Sequence, residues 1–275
     1  MANASGQPFY KMTGSGNDFV VFDATRGAVA EYEKPEAIQT LSARGTGVGA
    51  DGVVFLEKAG AGDVRIRYYN SDGYEAALCG NASLCSTRLA VELGLAKKDG
   101  FVLHTAAGAL KARIRDGVPE IDLELVTEIR PDANDLGLKA GERRLGYARV
   151  GVPHVIVDVP DLEGIDLAGR GRQLRNHPSL RDGANVNFVA KRPDGSWGYR
   201  TYERGVEAET LACGTGAVAA AIILSSWGDS GSQTTLWTRS GLPLTVTLRR
   251  QGDAWLPSLR GEGRIVYEGH LREVG

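Results

Sequence analysis

Long apolar runs, cysteine, histidine and charge of a single sign are all scarce in this chain, and each scarcity closes off a class of function. Even the apolar stretch from Ala217 to Leu224 falls far short of the ~18 residues that a membrane span needs. With 32 Lys and Arg against 34 Asp and Glu, the net charge is −2. That leaves no electrostatic footprint for nucleic acid or for an anionic membrane. Three cysteines, an odd number in no disulfide-framework spacing, suit a reducing cytoplasm. Four scattered histidines, with no C-x-x-C and no H-E-x-x-H, do not make a zinc spacing, so no metal site is expected. The G-x-S-x-G elbow of serine hydrolases is absent as well. Met1 to Pro8 lacks a basic region followed by an apolar one, so no secretory leader is expected. The partner left by these exclusions is a small molecule, met in the cytoplasm.

What the chain does have is a repeated cysteine motif. Leu78-Cys79-Gly80-Asn81-Ala82 and Ala212-Cys213-Gly214-Thr215-Gly216 each place a Cys-Gly pair at the start of a helical pattern. After Cys79 come Leu84, Leu89, Val91 and Leu93, stopping at Gly94; after Cys213 come Val218 to Leu224, stopping at Gly228. The terminating glycine lies 15 residues beyond the cysteine in both copies, and the two cysteines lie 134 residues apart, close to half of the 275-residue chain. Such self-similarity points to an internal duplication. A thiol at a helix N-terminus feels the positive end of the helix dipole, which lowers its pKa and makes it a usable base or nucleophile. The same backbone N–H groups suit a carboxylate, and the glycine lets it approach. Cys85, inside its helix and without a counterpart in the second copy, reads as a core residue.

Glycine is abundant, at 37 residues, and marks the turns between short strands. Thr13 to Asn17 and Gly45 to Gly52 are glycine-rich loops, but each is followed by a strand pattern instead of a helix, which excludes a dinucleotide fingerprint and a P-loop. Strands are expected at Pro8 to Met12, Val20 to Asp23, Val53 to Glu57, Val64 to Tyr69, Phe101 to Thr105, Leu110 to Ile114 and Ile121 to Leu125, the last two separated by a Gly117-Val118-Pro119 turn. Further strands are expected at Tyr147 to Val150 and Val155 to Val159, interrupted by Gly151 to His154, and at Asn185 to Val189, Trp197 to Tyr202, Gln233 to Thr238, Leu242 to Arg249 and Gly263 to Tyr267. Helices are expected at Lys34 to Arg44 and Leu167 to Leu174 besides the two that follow the cysteines. Few helices amid many strands, without regular βαβ alternation, argue an α+β fold. The polar stretch from Pro131 to Gly141 is a plausible crossing between halves.

The residues alone leave three chemistries open. One thiol could run covalent acyl transfer with His154 as base. Two thiols in equivalent settings could instead remove a proton from one face of a carbon and supply one to the other, inverting a stereocentre. A non-catalytic amino-acid-binding protein is the third.

The runs Gly14-Ser15-Gly16-Asn17-Asp18-Phe19, Gly47-Val48-Gly49-Ala50-Asp51-Gly52, Asn70-Ser71-Asp72-Gly73, Cys79-Gly80-Asn81, Pro153-His154, Asn185-Val186-Asn187-Phe188, Glu203-Arg204-Gly205 and Ala212-Cys213-Gly214-Thr215-Gly216 resemble, in order, the motifs of the diaminopimelate epimerase family. The resemblance implies a cofactor-independent, two-base epimerase that interconverts LL- and meso-diaminopimelate, on the route to lysine and peptidoglycan. It also implies two pseudo-symmetric domains, each a mostly antiparallel or mixed sheet wrapped round a central helix, with the active site in the cleft between them. The halves would run 1–124 with a C-terminal return of 259–275, and 125–258. Cys79 and Cys213 would be the catalytic pair. Gly80, Asn81, Gly214 and Thr215 would hold the reacting carboxylate. Asn17, Asn70, Asn185 and Arg204 would contact substrate, with His154 and Glu203 beside the reacting amino group. A homodimer is carried as an expectation, with the oligomeric state not fixed by the residues. Three positions depart from the family's pattern: Val152 stands where an Asn precedes Pro-His and is expected to read the distal end of the substrate, Ala82-Ser83-Leu84 replaces Gly-x-Arg, and Glu207-Ala208 carries one extra residue. A related two-thiol racemase of another amino acid is therefore the alternative.

Overall fold

Strand burial here follows what covers each face: it is continuous where both faces are covered, as from Val53 to Leu56, and alternates where one face is open. In the computed structural model, which describes residues 6–27 and 29–272, Val64, Ile66 and Tyr68 of one strand are buried while Arg65 is exposed between them, the alternation of a sheet with unlike faces. The first compact unit takes in the chain up to Ile121 and from Gly261 onward; the second runs from Asp122 to Arg260.

In the first unit, β1 (Gln7–Gly14), β2 (Asn17–Asp23), α1 (Pro35–Ser42), β3 (Gly52–Lys58), β4 (Val64–Asn70), α2 (Gly80–Glu92), β5 (Phe101–Thr105), β6 (Gly108–Arg115) and β7 (Val118–Asp122) follow one another. β1 and β2 pair antiparallel, β2 and β3 parallel across α1, β3 and β4 antiparallel, β4 and β5 parallel across α2, and β5 and β6 antiparallel. Ile38 and Leu41 of α1 cover Val20, Phe22, Val53 and Phe55 on one face. That leaves Phe19, Val21 and Val54 to the other face, where α2 packs against β1, β2, β3, β4 and β6.

The second unit repeats the plan with β8 (Ile129–Arg130), β9 (Arg144–Val150), β10 (Val152–Asp158), α3 (Leu167–Arg175), β11 (Asn185–Lys191), β12 (Trp197–Glu203), β13 (Ala208–Thr210), α4 (Gly214–Ser226), β14 (Gln233–Trp237), β15 (Pro243–Gln251) and β16 (Ala254–Arg260). Its ladders run in the same sequence of senses: β9 with β10 antiparallel, β10 with β11 parallel across α3, β11 with β12 antiparallel, β12 with β14 parallel across α4, and β14 with β15 antiparallel. Leu167 and Leu174 of α3 cover Val155, Val157, Val186 and Phe188, while α4 packs on the opposite face against β9, β10, β11, β14, β15 and β16. The last strand, β17 (Arg264–Leu271), returns to the first unit and pairs antiparallel with β1, as the short β8 does with β9 in the second. The fold is α+β, dominated by mixed sheet, with each unit's sheet set around one central helix.

Two local expectations are corrected. The hairpin between β6 and β7 turns at Asp116-Gly117, whose φ values of 51° and 76° are the pair of positive angles that a two-residue I′ turn needs, so Val118 and Pro119 belong to the strand. Likewise Gly151 alone, at φ 67°, turns the chain between β9 and β10, and Val152-Pro153-His154 opens β10 instead of interrupting it. A proline is tolerated so near a strand's start. The consequence is that His154 sits in the sheet.

Candidate active site

Both central helices start the same way. Cys79 and Cys213 are N-cap residues in extended conformation, with φ, ψ of −128°, 117° and −137°, 112°. Each carbonyl accepts the first helical hydrogen bond, from Ser83 N and Ala217 N, at 2.9 Å in both cases. Each helix is 13 residues long, and a left-handed glycine follows its C-terminus, Gly94 at φ 67° and Gly228 at φ 80°. The side chain of Cys79 is half-buried and that of Cys213 buried.

Around Cys79 the two glycine-rich loops converge on one amide chain. Asn81 Nδ2 donates to Asn17 Oδ1 at 2.6 Å, and Asn17 Nδ2 donates to Asp51 Oδ2 at 2.9 Å. The parallel register of β2 on β3 brings Asp18 and Asp51 together, with Asp51 N donating to Asp18 O at 2.9 Å. Arg44 bridges both carboxylates at 2.7 Å, and Lys11 meets Asp18 at 2.5 Å. Burial alone would raise Asp18, but hydrogen bonds from Arg44 and Lys11 hold it below the usual carboxylate value. Asn81 is 1% exposed, and its Oδ1 has no protein partner. Asn70 ends β4 on the exposed rim, where its Oδ1 accepts from Tyr68 at 2.9 Å. Cys85 is fully buried; burial, then the neighbouring Cys79 and Glu262, push its thiol well up, so it stays protonated as a core residue.

The Cys213 side is built differently. Its Sγ lies 3.6 Å from the Thr215 hydroxyl. Its carbonyl lies 3.1 Å from the Tyr199 hydroxyl, which is also 3.0 Å from Asn187 Oδ1. Thr201 donates to the same Asn187 oxygen at 3.0 Å. A Cβ at Gly216 would come within 2.3 Å of the Tyr199 oxygen and 2.4 Å of Asn187 Oδ1, so glycine is the residue that lets the helix start lie on this cluster. His154 is fully buried with Nδ1 3.3 Å from Asn187 Nδ2; burial first, and the Arg204 charge second, push it from 6.5 down to about 3. Asn185 Oδ1 accepts from the backbone N of Arg204 at 2.8 Å, and Glu203 Oε2 accepts from Thr210 at 2.8 Å. After Glu203 the chain makes a turn in which Glu207 N donates to Glu203 O at 2.8 Å, with Glu207 itself at φ 59° and clamped by Arg175.

Within the first unit the structure thus joins Asn17 and Asn81 to the helix that Cys79 caps, and Gly80 opens that helix. Within the second, Gly214 and Thr215 open the helix that Cys213 caps, and Asn185 meets Arg204. Asp51, Asn187 and Tyr199 join these clusters without a site signal of their own in the sequence: Asp51 and Asn187 lie inside the runs 47–52 and 185–188, and Tyr199 is a strand position. Among the described residues no three His, Cys, Asp or Glu side chains gather as a metal site, and no helix is long and apolar enough to cross a membrane.

The family model for diaminopimelate epimerase matches residues 9–125 and 146–264. A protein named diaminopimelate epimerase from Gemmatimonas aurantiaca is 50% identical over 273 residues, covering 96% of this chain and 98% of its own. The protein of the same name from Archaeoglobus fulgidus is 41% identical over 279 residues, covering 96% of each. Among solved structures, a phenazine biosynthesis protein of the PhzF family from Bacillus anthracis superposes with a TM-score of 0.74 at 16% identity, covering 98% of this chain and 100% of its own. A hydroxyproline epimerase from Agrobacterium vitis gives 0.69 at 22% identity, covering 99% and 95%. These last two speak for the fold. With the family model matched along most of the sequence and relatives this similar over nearly their whole lengths, the chain belongs to the diaminopimelate epimerase family and is an isomerase.

Proposed function

We propose that this enzyme interconverts LL- and meso-diaminopimelate without a cofactor, on the route to lysine and peptidoglycan, with Cys79 and Cys213 as the two bases. The observation that carries the reading is that each half caps its buried central helix with a cysteine followed by glycine. One thiolate takes the α-proton, and the other thiol returns a proton to the opposite face of the carbon. The helix-start N–H groups of Gly80 and Asn81, and of Gly214 and Thr215, hold the α-carboxylate, where negative charge develops as the proton leaves. Asn17, Asn70, Asn185 and Arg204 bind the substrate, with Glu203 and His154 at the reacting centre. A homodimer working in the cytoplasm completes the proposal.

The one-thiol transferase reading needs His154 as a base. A buried imidazole held near pKa 3, with Nδ1 facing an amide donor, is a poor one at neutral pH. A second substrate is favoured by one feature only: β10 opens on half-buried Val152, which offers no amide to the distal end of diaminopimelate. Deuterium uptake at Cα in D₂O, followed by NMR with LL-diaminopimelate and a panel of other amino acids, tests both. Exchange with inversion on diaminopimelate is the expected result, and loss of at least about a thousandfold in turnover when either Cys79 or Cys213 alone becomes Ala. Exchange confined to another amino acid overturns the substrate, and a dispensable cysteine overturns the two-base mechanism.

A further inference from the structure

Asn187, to which the two-thiol chemistry gives no task, lies at the centre of a buried polar cluster that includes His154. It is fully buried on β11, one residue from Val186 and Phe188, which face α3, so its side chain projects to the α4 face. Its Nδ2 reaches the Val155 carbonyl at 3.2 Å and His154 Nδ1 at 3.3 Å, while its Oδ1 accepts from Thr201 and lies 3.0 Å from the Tyr199 hydroxyl. The Val155 carbonyl can only accept, which fixes the amide with its NH₂ end toward β10. An NH₂ group can only donate. The His154 nitrogen beside it must therefore carry a lone pair, and the neutral ring keeps its proton on Nε2, the nitrogen that is buried without a protein partner.

We infer that Asn187 is a positioning residue that holds His154 in the neutral tautomer protonated at Nε2, so that His154 offers the reacting centre a hydrogen-bond donor and not a base. The role at the reacting centre rests on the function proposed above, whereas the tautomer stands on the geometry alone. The charged group acting on the ring is Arg204, and its effect has the same sign as burial: both keep the ring neutral. A neutral donor suits a site where negative charge grows on substrate carboxylate or on a thiolate, because it stabilises that charge without taking the proton meant for the second thiol. Tyr199 ties the same amide to the start of α4, since its single hydroxyl proton serves either Asn187 Oδ1 or the Cys213 carbonyl.

The test is ¹⁵N NMR of the full chain labelled at histidine, with His154→Gln used to assign the signal. The wild-type ring should be neutral at pH 7 with its proton on Nε2; a proton on Nδ1, or a charged ring, overturns the inference without any variant. In Asn187→Asp the carboxylate accepts instead of donating, so the proton should move to Nδ1, and kcat for α-proton exchange should fall by about tenfold or more with a smaller change in KM. A merely structural amide would change the melting temperature but leave the tautomer where it was, and that result also overturns the inference. If the wild-type protein shows the Nε2 tautomer yet exchanges no α-proton on any amino acid, the functional reading fails and the tautomer assignment stands.

Discussion

The two units share a topology but place their buried polar groups on opposite partners. In the second unit α4 is apolar all round, with Ala217 to Leu224 entirely buried, and the sheet beneath it carries His154, Asn187, Tyr199 and Thr201. By ladder register the same places in the first unit hold Phe19, Val54, Ile66 and Tyr68, because Val21 pairs Val54 and Val54 pairs Tyr68 as Ile156 pairs Asn187 and Asn187 pairs Thr201. There the helix is the polar partner: Asn81, Ser83, Ser86 and Thr87 of α2 are buried. Asn81 reaches out to Asn17 and the Ser83 hydroxyl has no protein partner, so the difference in self-sufficiency rests on Ser86 and Thr87. Ser86 and Thr87 bond back to the carbonyls of Ala82 and Ser83, both at 2.8 Å, so those hydroxyls are satisfied by the helix itself. The sheet cluster of the second unit has to be satisfied by residues from three strands and a helix start.

The largest test of that contrast is steric. Gly216 and Ala82 occupy the same place, three residues after their cysteines. Gly216→Ala forces a methyl into the Tyr199 and Asn187 oxygens and should cost about 3 kcal/mol, read as a shift in the urea midpoint. The reciprocal Ala82→Gly loses only helix propensity and a small buried methyl and should cost about 2 kcal/mol at most. Equal costs would mean that the helix starts are packed alike and that the cluster does not dictate glycine.

Proton uptake separates the units next. The unfolded chain protonates His154 below about pH 6.5, whereas the folded chain resists until about 3. Stability from this group is complete above about 6.5 and is lost as pH falls toward 3, by up to about 1.4 kcal/mol per pH unit. Phe19, its counterpart, titrates nothing. Urea midpoints measured between about pH 7 and pH 4 should fall less steeply in His154→Asn than in the wild type; superimposed slopes would show that the ring is not held neutral.

The helices were the most readable part of the sequence, for reasons visible in these same residues. Ala217 to Leu224 is rich in alanine, the best helix former, and Gly94 and Gly228 stop the helices through a backbone angle that glycine adopts without strain. The strand that carries His154 was harder. The run Gly151-Val152-Pro153-His154 looks like a loop, and only pairing of Val152 to His154 with β9, and of His154 with β11, makes its last three residues a strand. The Asp116-Gly117 dipeptide is itself a hairpin signal, but Pro119, two residues on, competes with it as a turn former. The cysteines and the Asn17 loop could be found from local pattern. The Asn187, Tyr199 and Thr201 cluster could not, since its members meet across strands and each alone is an ordinary strand residue.

The smallest effect tests the idea of self-sufficiency directly. Tyr199→Phe removes one hydroxyl from the cluster, but the Cys213 carbonyl keeps the Ala217 N–H and Asn187 Oδ1 keeps Thr201, so no acceptor is stranded. The expected cost is about 1 kcal/mol, that of one buried hydrogen bond. Ser86→Ala removes a hydroxyl just as buried, yet its acceptor carbonyl belongs to a helix, and alanine has the better helix propensity. Its midpoint should stay within about 0.5 kcal/mol of wild type. A Ser86→Ala cost as large as that of Tyr199→Phe would mean that the Ser86 hydroxyl serves the packing of the sheet around it, and the distinction between hydroxyls that bond back to their own helix and a sheet cluster that needs its neighbours would fall.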